Sequence, residues 1–161
     1  MAGLRWCDID LAVATVRILN QPNADGSLRP TKSRHQRVVD IDADTVKMLK
    51  RHRAYSEAIA GECGEMITEE CFTFSPEPGN RLPYRVDGLT QRWARLRKST
   101  GINCRLHDLR HAQATALLAQ GISPVVGAQR LGQTVEVFLA TYGHSDDEQN
   151  KRAANAGGLH R

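Results

Sequence analysis

An α+β fold, mainly helical with a small antiparallel β-hairpin near the N-terminus, is what this 161-residue chain predicts, and three observations carry that expectation. Two alternating, β-branched stretches, "AVATVRIL" (12–19) and "HQRVVDI" (35–41), flank the turn-rich segment "NQPNADGSLRPTKSR". Beyond residue 41 the apolar period changes from that of strands to that of helices. Helix punctuation then recurs: Asp42 and Asp44 precede one periodic run, Gly101 follows another, and Ser123 with Pro124 opens a third.

Taken in order, the two strands form a hairpin with an exposed basic tip. The first helix carries Val46, Leu49, Tyr55 and Ile59 at helical spacing and ends near Gly61. A glutamate-rich connection leads to a short apolar strand, "CFTF" (71–74), and a Pro/Gly loop to about Tyr84. The second helix, roughly 87–99, has Leu89, Trp93 and Leu96 on one face and Arg92, Arg95 and Lys98 largely off it. A third helix opens on "LHDLRH" and runs to about Gln120, with Leu106, Leu109, Ala112/Gln113 and Ala116/Leu117 as its expected buried stripe. Helices in "SPVVGAQRLG" and "TVEVFLATYG" follow, then a small polar tail, 145–161, as a surface helix or frayed end.

The length is that of one domain, and 40% hydrophobic with 25% charged residues is the composition of a soluble globular protein with a real core. There is no apolar run long enough to span a membrane and no signal-peptide pattern at "MAGLRWCDID", which points to the cytoplasm and away from membranes. Cys7, Cys63, Cys71 and Cys104 are too dispersed for a CxxC zinc pattern and read as reduced thiols. Charge is segregated: residues 81–110 hold eight Lys/Arg against two acids, while 55–80 hold six glutamates and no base. A basic segment suits a polyanion, although charge alone is equally a solvated surface.

The polar cluster "HDLRH" (107–111) is the most informative stretch. His107, Arg110 and His111, three and four residues apart, emerge together near a helix N-terminus, where unpaired N–H groups and the dipole favour an anion. Three readings compete: a histidine capping its helix beside an arginine bridged to a surface acid; a metal site on His107 and His111 completed by Asp108 or His144; and phosphate recognition, with Arg110 gripping two oxygens and His107 moving a proton. The fixed charge of Arg110 repels a cation at short range, which lowers the metal reading. Lys32 on the hairpin and Tyr142 after a short helix complete a set suited to metal-free phosphoryl transfer.

Four blocks in order, "GLRWCDIDL", "TKSRHQRVVDI", "LHDLRHAQATALLAQGIS" and "RLGQTVEVFLATYGH", resemble the tyrosine recombinases, or phage integrases, over nearly the whole chain. The resemblance implies that residues 1–161 are a recombinase catalytic domain, with Tyr142 as nucleophile, Lys32 protonating the leaving oxygen and His107 with Arg110 as the HxxR pair. It implies cleavage of one DNA strand through a 3′-phosphotyrosyl link, rejoined by the reverse step. The covalent link keeps the bond energy, so neither metal nor other cofactor is expected. Gln133 stands where the family usually has His or Trp and keeps a hydrogen-bonding but uncharged version of that role. Double-stranded DNA is the implied partner, contacted by Arg34, Arg37, Arg81, Arg92 and Arg95, with a homo-oligomer on DNA, a tetramer in the full protein.

In the family a glycine-leucine-arginine with the first catalytic arginine precedes the "GLRW-x-DID" block, and Arg5 is not its substitute. The expectation is therefore a catalytic domain truncated at its N-terminus, without the DNA-clamping domain and impaired or inactive alone. Two alternatives stay open: a noncatalytic DNA-binding fragment, and a metal-dependent phosphohydrolase using His107, Asp108 and His111.

Overall fold

The computed structural model describes residues 2–22, 27–30 and 37–143. Lys32 and Arg34, on the expected hairpin tip, lie outside these residues, as do His144 and the tail 145–161. The chain divides into two compact units, Met1–Leu106 and His107–Arg161.

In the first unit, a 3-10 turn at Trp6–Asp8 leads into β1 (Ile9–Asp10), β2 (Thr15–Ile18), β3 (Asn20–Pro22), β4 (Leu28–Pro30) and β5 (Arg37–Asp40). The expected pairing of the two alternating stretches is present as β2 against β5, antiparallel, with Thr15 opposite Asp40 and Ile18 opposite Arg37. Two features exceed the expectation. β1 extends this sheet to the order β1-β2-β5, and β3 pairs with β4 as a separate two-stranded ribbon inside the segment read as turn. The β1–β2 turn is built by Asp10, whose Oδ1 accepts from the N–H groups of Ala12 and Val13 at 2.9 and 3.0 Å, with Ala14 at φ 56°.

"CFTF" is not a ladder strand. It is held extended by one antiparallel bridge, Arg5 to Phe72, made by bonds from Trp6 N–H to the Cys71 carbonyl and from Thr73 N–H to the Leu4 carbonyl, 3.1 and 2.8 Å. Its side chains pack instead: Cys71, Phe72 and Thr73 are buried together with Trp6, Leu49 and Ala60. His52 stacks on Phe74 at 5.1 Å and meets Trp6 at 5.9 Å, its Nε2 lying 2.7 Å from the Thr73 carbonyl.

Helix α1 spans Ala43–Glu62, and Asp42 caps it by accepting from Thr45 N–H at 2.8 Å. Its inward residues are Leu49, Ser56 and Ala60, whereas Tyr55, expected inside, is 64% exposed. Tyr55 falls off the Leu49–Ser56–Ala60 face. The Asp42 carboxyl lies below its ordinary value of 3.8, first through the Thr45 backbone bond and then through the Thr45 hydroxyl. A depressed folded-state pKa contributes stability above the unfolded value that is lost as pH falls through the folded one. Asp42→Ala is therefore expected to lower the melting temperature at pH 7, and the gap to the parent should close below about pH 4. A gap unchanged from pH 7 to pH 3 contradicts the cap. Helix α2, Val86–Thr100, ends at Gly101 with φ 72°, the left-handed C-cap that its glycine predicts.

The second unit contains α3 (Asp108–Ala119), α4 (Pro124–Leu131) and α5 (Val135–Tyr142). Ser123 and Thr134 cap α4 and α5 by accepting from Val125 and Val137 N–H, both at 3.3 Å. The core is Ala114, Ala128 and Phe138, with Leu118, Leu131, Val135 and Tyr142 packed on it. The expected buried stripe of α3 holds only at Leu117. Leu106 and Leu109 are 45% and 46% exposed, Ala112, Gln113 and Ala116 are exposed, and the inward residues are Arg110, His111, Ala114, Leu117 and Leu118. Size rather than hydropathy decides: Phe138 and Ala128 close on Ala114, and a small residue is what permits that approach. No helix among the described residues is long and apolar enough to cross a membrane.

Candidate active site

Of the polar cluster, Arg110 and His111 lie on the inward face of α3, whereas His107 is exposed. His107 is the residue before the helix, in right-handed helical backbone (φ −70°, ψ −28°), and its side chain makes no capping bond. Arg110, one turn in, is half-buried, and its guanidinium forms no hydrogen bond or ion pair with any described residue. Both halves of the bland reading, a capping histidine and an arginine bridged to a surface acid, therefore fail. A guanidinium that is part-desolvated without a carboxylate has its donor fork available for an external anion.

Tyr142 is the last residue of α5. Its ring lies 5.1 Å from Phe138 at 56° and 5.4 Å from His111 at 62°, and His111 in turn meets His107 edge-on at 4.8 Å and 83°. The four rings thus run in the order His107, His111, Tyr142, Phe138. The Tyr142 hydroxyl is buried with no hydrogen-bond partner, and so is Oε1 of Gln133, in the turn between α4 and α5. Each such orphan costs about 1–3 kcal/mol relative to a satisfied group. Polar atoms left unpaired on the unit that carries an unpaired arginine are what a site awaiting a polar ligand contains.

Residues expected on the DNA-facing surface have varied fates. Arg37 begins β5. Arg81 is engaged by the Glu65 carboxylate, and its backbone N–H donates to Glu77 Oε1 at 2.8 Å, so part of its charge is neutralised. The Arg92 guanidinium lies 4.6 Å above the Tyr84 ring, and Arg95, three residues on, is exposed on the same helix. Among the described residues no three His, Cys, Asp or Glu are grouped to hold an ion, and His144, which the metal alternative would use, lies outside them. Asp108 follows His107 directly, and successive helical residues point about 100° apart.

The sequence placed His111 in the polar cluster and among possible metal ligands, but not beside Tyr142. Its spacing from His107 was readable, but its contact with Tyr142 depends on how α5 packs on α3.

The phage integrase family profile matches residues 1–149. The chain belongs to the phage integrase family. Among its relatives, the ICEBs1 integrase of Bacillus subtilis (strain 168) is 26% identical over 161 residues, covering 96% of this chain and 43% of that protein. Solved structures of similar fold include the XerA recombinase, with a TM-score of 0.68 at 20% identity over 99% of this chain and 52% of that one. The Tn1549 transposon integrase in complex with a circular intermediate DNA gives 0.75 at 17% identity, over 96% and 52% of the two chains. The same integrase in complex with transposon right end DNA gives 0.75 at 17%, over 97% and 53%. This integrase-family chain spans about half the length of the relatives it matches.

Proposed function

We propose that the chain is the catalytic domain of a site-specific DNA recombinase that cleaves and rejoins duplex DNA through Tyr142. The phenolic oxygen attacks the scissile phosphorus, the bond to the 5′-oxygen breaks, and a 3′-phosphotyrosyl link forms. Lys32 gives the leaving oxygen its proton, and His107 carries away the proton that the phenol releases. Arg110 holds two nonbridging oxygens, and the Gln133 amide donates to one, so that charge developing on phosphorus meets fixed donors. Rejoining is the reverse attack by another strand's 5′-hydroxyl and needs no cofactor. Arg34, Arg37, Arg81, Arg92 and Arg95 are assigned to the DNA backbone. A homo-oligomer on DNA, tetrameric in the full protein, and a cytoplasmic location complete the reading.

The observation that carries it is the half-buried, unpartnered guanidinium of Arg110 on the unit where ring contacts run from His107 through His111 to Tyr142, whose hydroxyl is orphaned. The XerA recombinase and the DNA-bound Tn1549 integrase, which share the fold, support the substrate class.

The test is run with the protein expressed from its full open reading frame, incubated with a nicked duplex that loses its 5′-hydroxyl fragment after cleavage. A covalent protein–DNA band is expected on a denaturing gel, unaffected by chelator and absent for Tyr142→Phe. Binding without a band identifies a noncatalytic DNA-binding module. Chelator-sensitive cleavage without an adduct identifies a metal-dependent hydrolase.

A further inference from the structure

Tyr142 has no hydrogen bond to fix its orientation, so its ring contacts must do so. Phe138 is one of these, but it lies four residues back on the same helix and moves with the tyrosine. The ring contact that ties Tyr142 to α3 is His111, at 5.4 Å. Four residues after His107, His111 occupies the same helix face and meets that ring at 4.8 Å as well. Its own nitrogens make no hydrogen bond to any described residue, so the ring is held by packing alone. A flat ring with edge contacts on both sides sets the separation between its neighbours.

We propose that His111 is a positioning residue whose ring, wedged between His107 and Tyr142, sets the approach of the nucleophile to the phosphate held by α3. The inference rests on the recombinase reading above for its consequence, but the contact itself does not. The role belongs to the shape of the ring and not to its nitrogens, so phenylalanine can fill it and alanine cannot. Misplacing a reacting group by about 1 Å costs on the order of 10²-fold in rate. DNA affinity, which depends on backbone charges, is untouched by the loss.

Two measurements on the full-length protein test this. The first is NMR of ring-labelled tyrosine, with the Tyr142 signals assigned by their loss in Tyr142→Phe. His111→Ala is expected to shift the Tyr142 ring signals and speed its nitration by tetranitromethane, and His111→Phe to leave nitration slow. This reading holds whether or not the protein cleaves DNA, so a failure of the recombinase function is seen separately as an absent adduct in the parent. The second is single-turnover cleavage of the nicked duplex. His111→Ala is expected to be about 10²-fold slow at unchanged DNA affinity, and His111→Phe to recover within a few-fold. Equal defects in the alanine and phenylalanine variants would overturn the proposal in favour of nitrogen chemistry. An alanine variant with unmoved Tyr142 signals, or with parental cleavage, would overturn it outright.

Discussion

Arg110→Ala is expected to slow strand cleavage about 10²–10³-fold while leaving the melting temperature close to that of the parent. The two halves of the expectation have one source. Arg110 is half-buried yet its guanidinium is bonded to no described residue, so removing it breaks no internal ion pair and strands no carboxylate. Its contribution is to the transition state and not to the fold. Arg110→Lys should fall between, because an ammonium keeps the charge but not the planar two-pronged fork that matches a phosphate. Single-turnover cleavage and thermal melting of the same samples check both parts. Parental cleavage in the alanine variant would remove Arg110 from the phosphate site, and a collapse in melting temperature would make it a structural residue. Tyr142→Phe offers a companion: it deletes a hydroxyl that has no partner, so the inactive variant should be at least as stable as the parent.

The second large effect is expected at Gly127. On α4 its backbone is pressed by the Phe138 ring, and a Cβ added there would stand 2.7 Å from Cζ. Phe138 is wholly buried and has nowhere to retreat. Gly127→Val should therefore cost about 1–3 kcal/mol through overpacking, exceeding what a helix gains by losing glycine, which for a β-branched residue is a few tenths of a kcal/mol. Because Phe138 packs on Tyr142 at 5.1 Å, the same variant should cleave more slowly. Phe138→Leu in the Gly127→Val background should relieve part of the strain, giving a coupling that a double-mutant cycle detects. Strictly additive costs would show that the two positions do not oppose each other.

Local chemistry made much of the fold legible. Asp42, Gly101, Ser123 with Pro124, and Gly121 mark helix ends within a residue or two because caps act over one turn. The β2–β5 pairing was visible in the alternation of "TVRI" and "RVVD". Three things were not legible. "CFTF" has the composition of a strand but forms one bridge among the described residues, to Arg5, while the Phe72 N–H goes to the Asn80 carbonyl. The leucines of α3 outweigh Ala114 on any hydropathy reading, yet Ala114 is the residue that Phe138 requires. The composition of the site, His107, Arg110, Gln133 and Tyr142, was readable from order and spacing. The ring chain through His111 was not, because it depends on the packing of two helices separated by a third.

Helices α1, α4 and α5 begin under an oxygen-bearing side chain, whereas α2 and α3 begin at Arg85 and His107 with no side-chain cap. A basic residue at the positive end of a helix dipole is the less favourable choice in isolation. The opening turn of α3 thus has the Asp108 carboxylate beside the dipole but no side-chain N-cap, and its amide protons should exchange with solvent more readily than those of α4 or α5. An anion docking there would supply what Asp, Ser or Thr supplies elsewhere, and by linkage the ordering of that turn and the binding of the ligand become a single equilibrium.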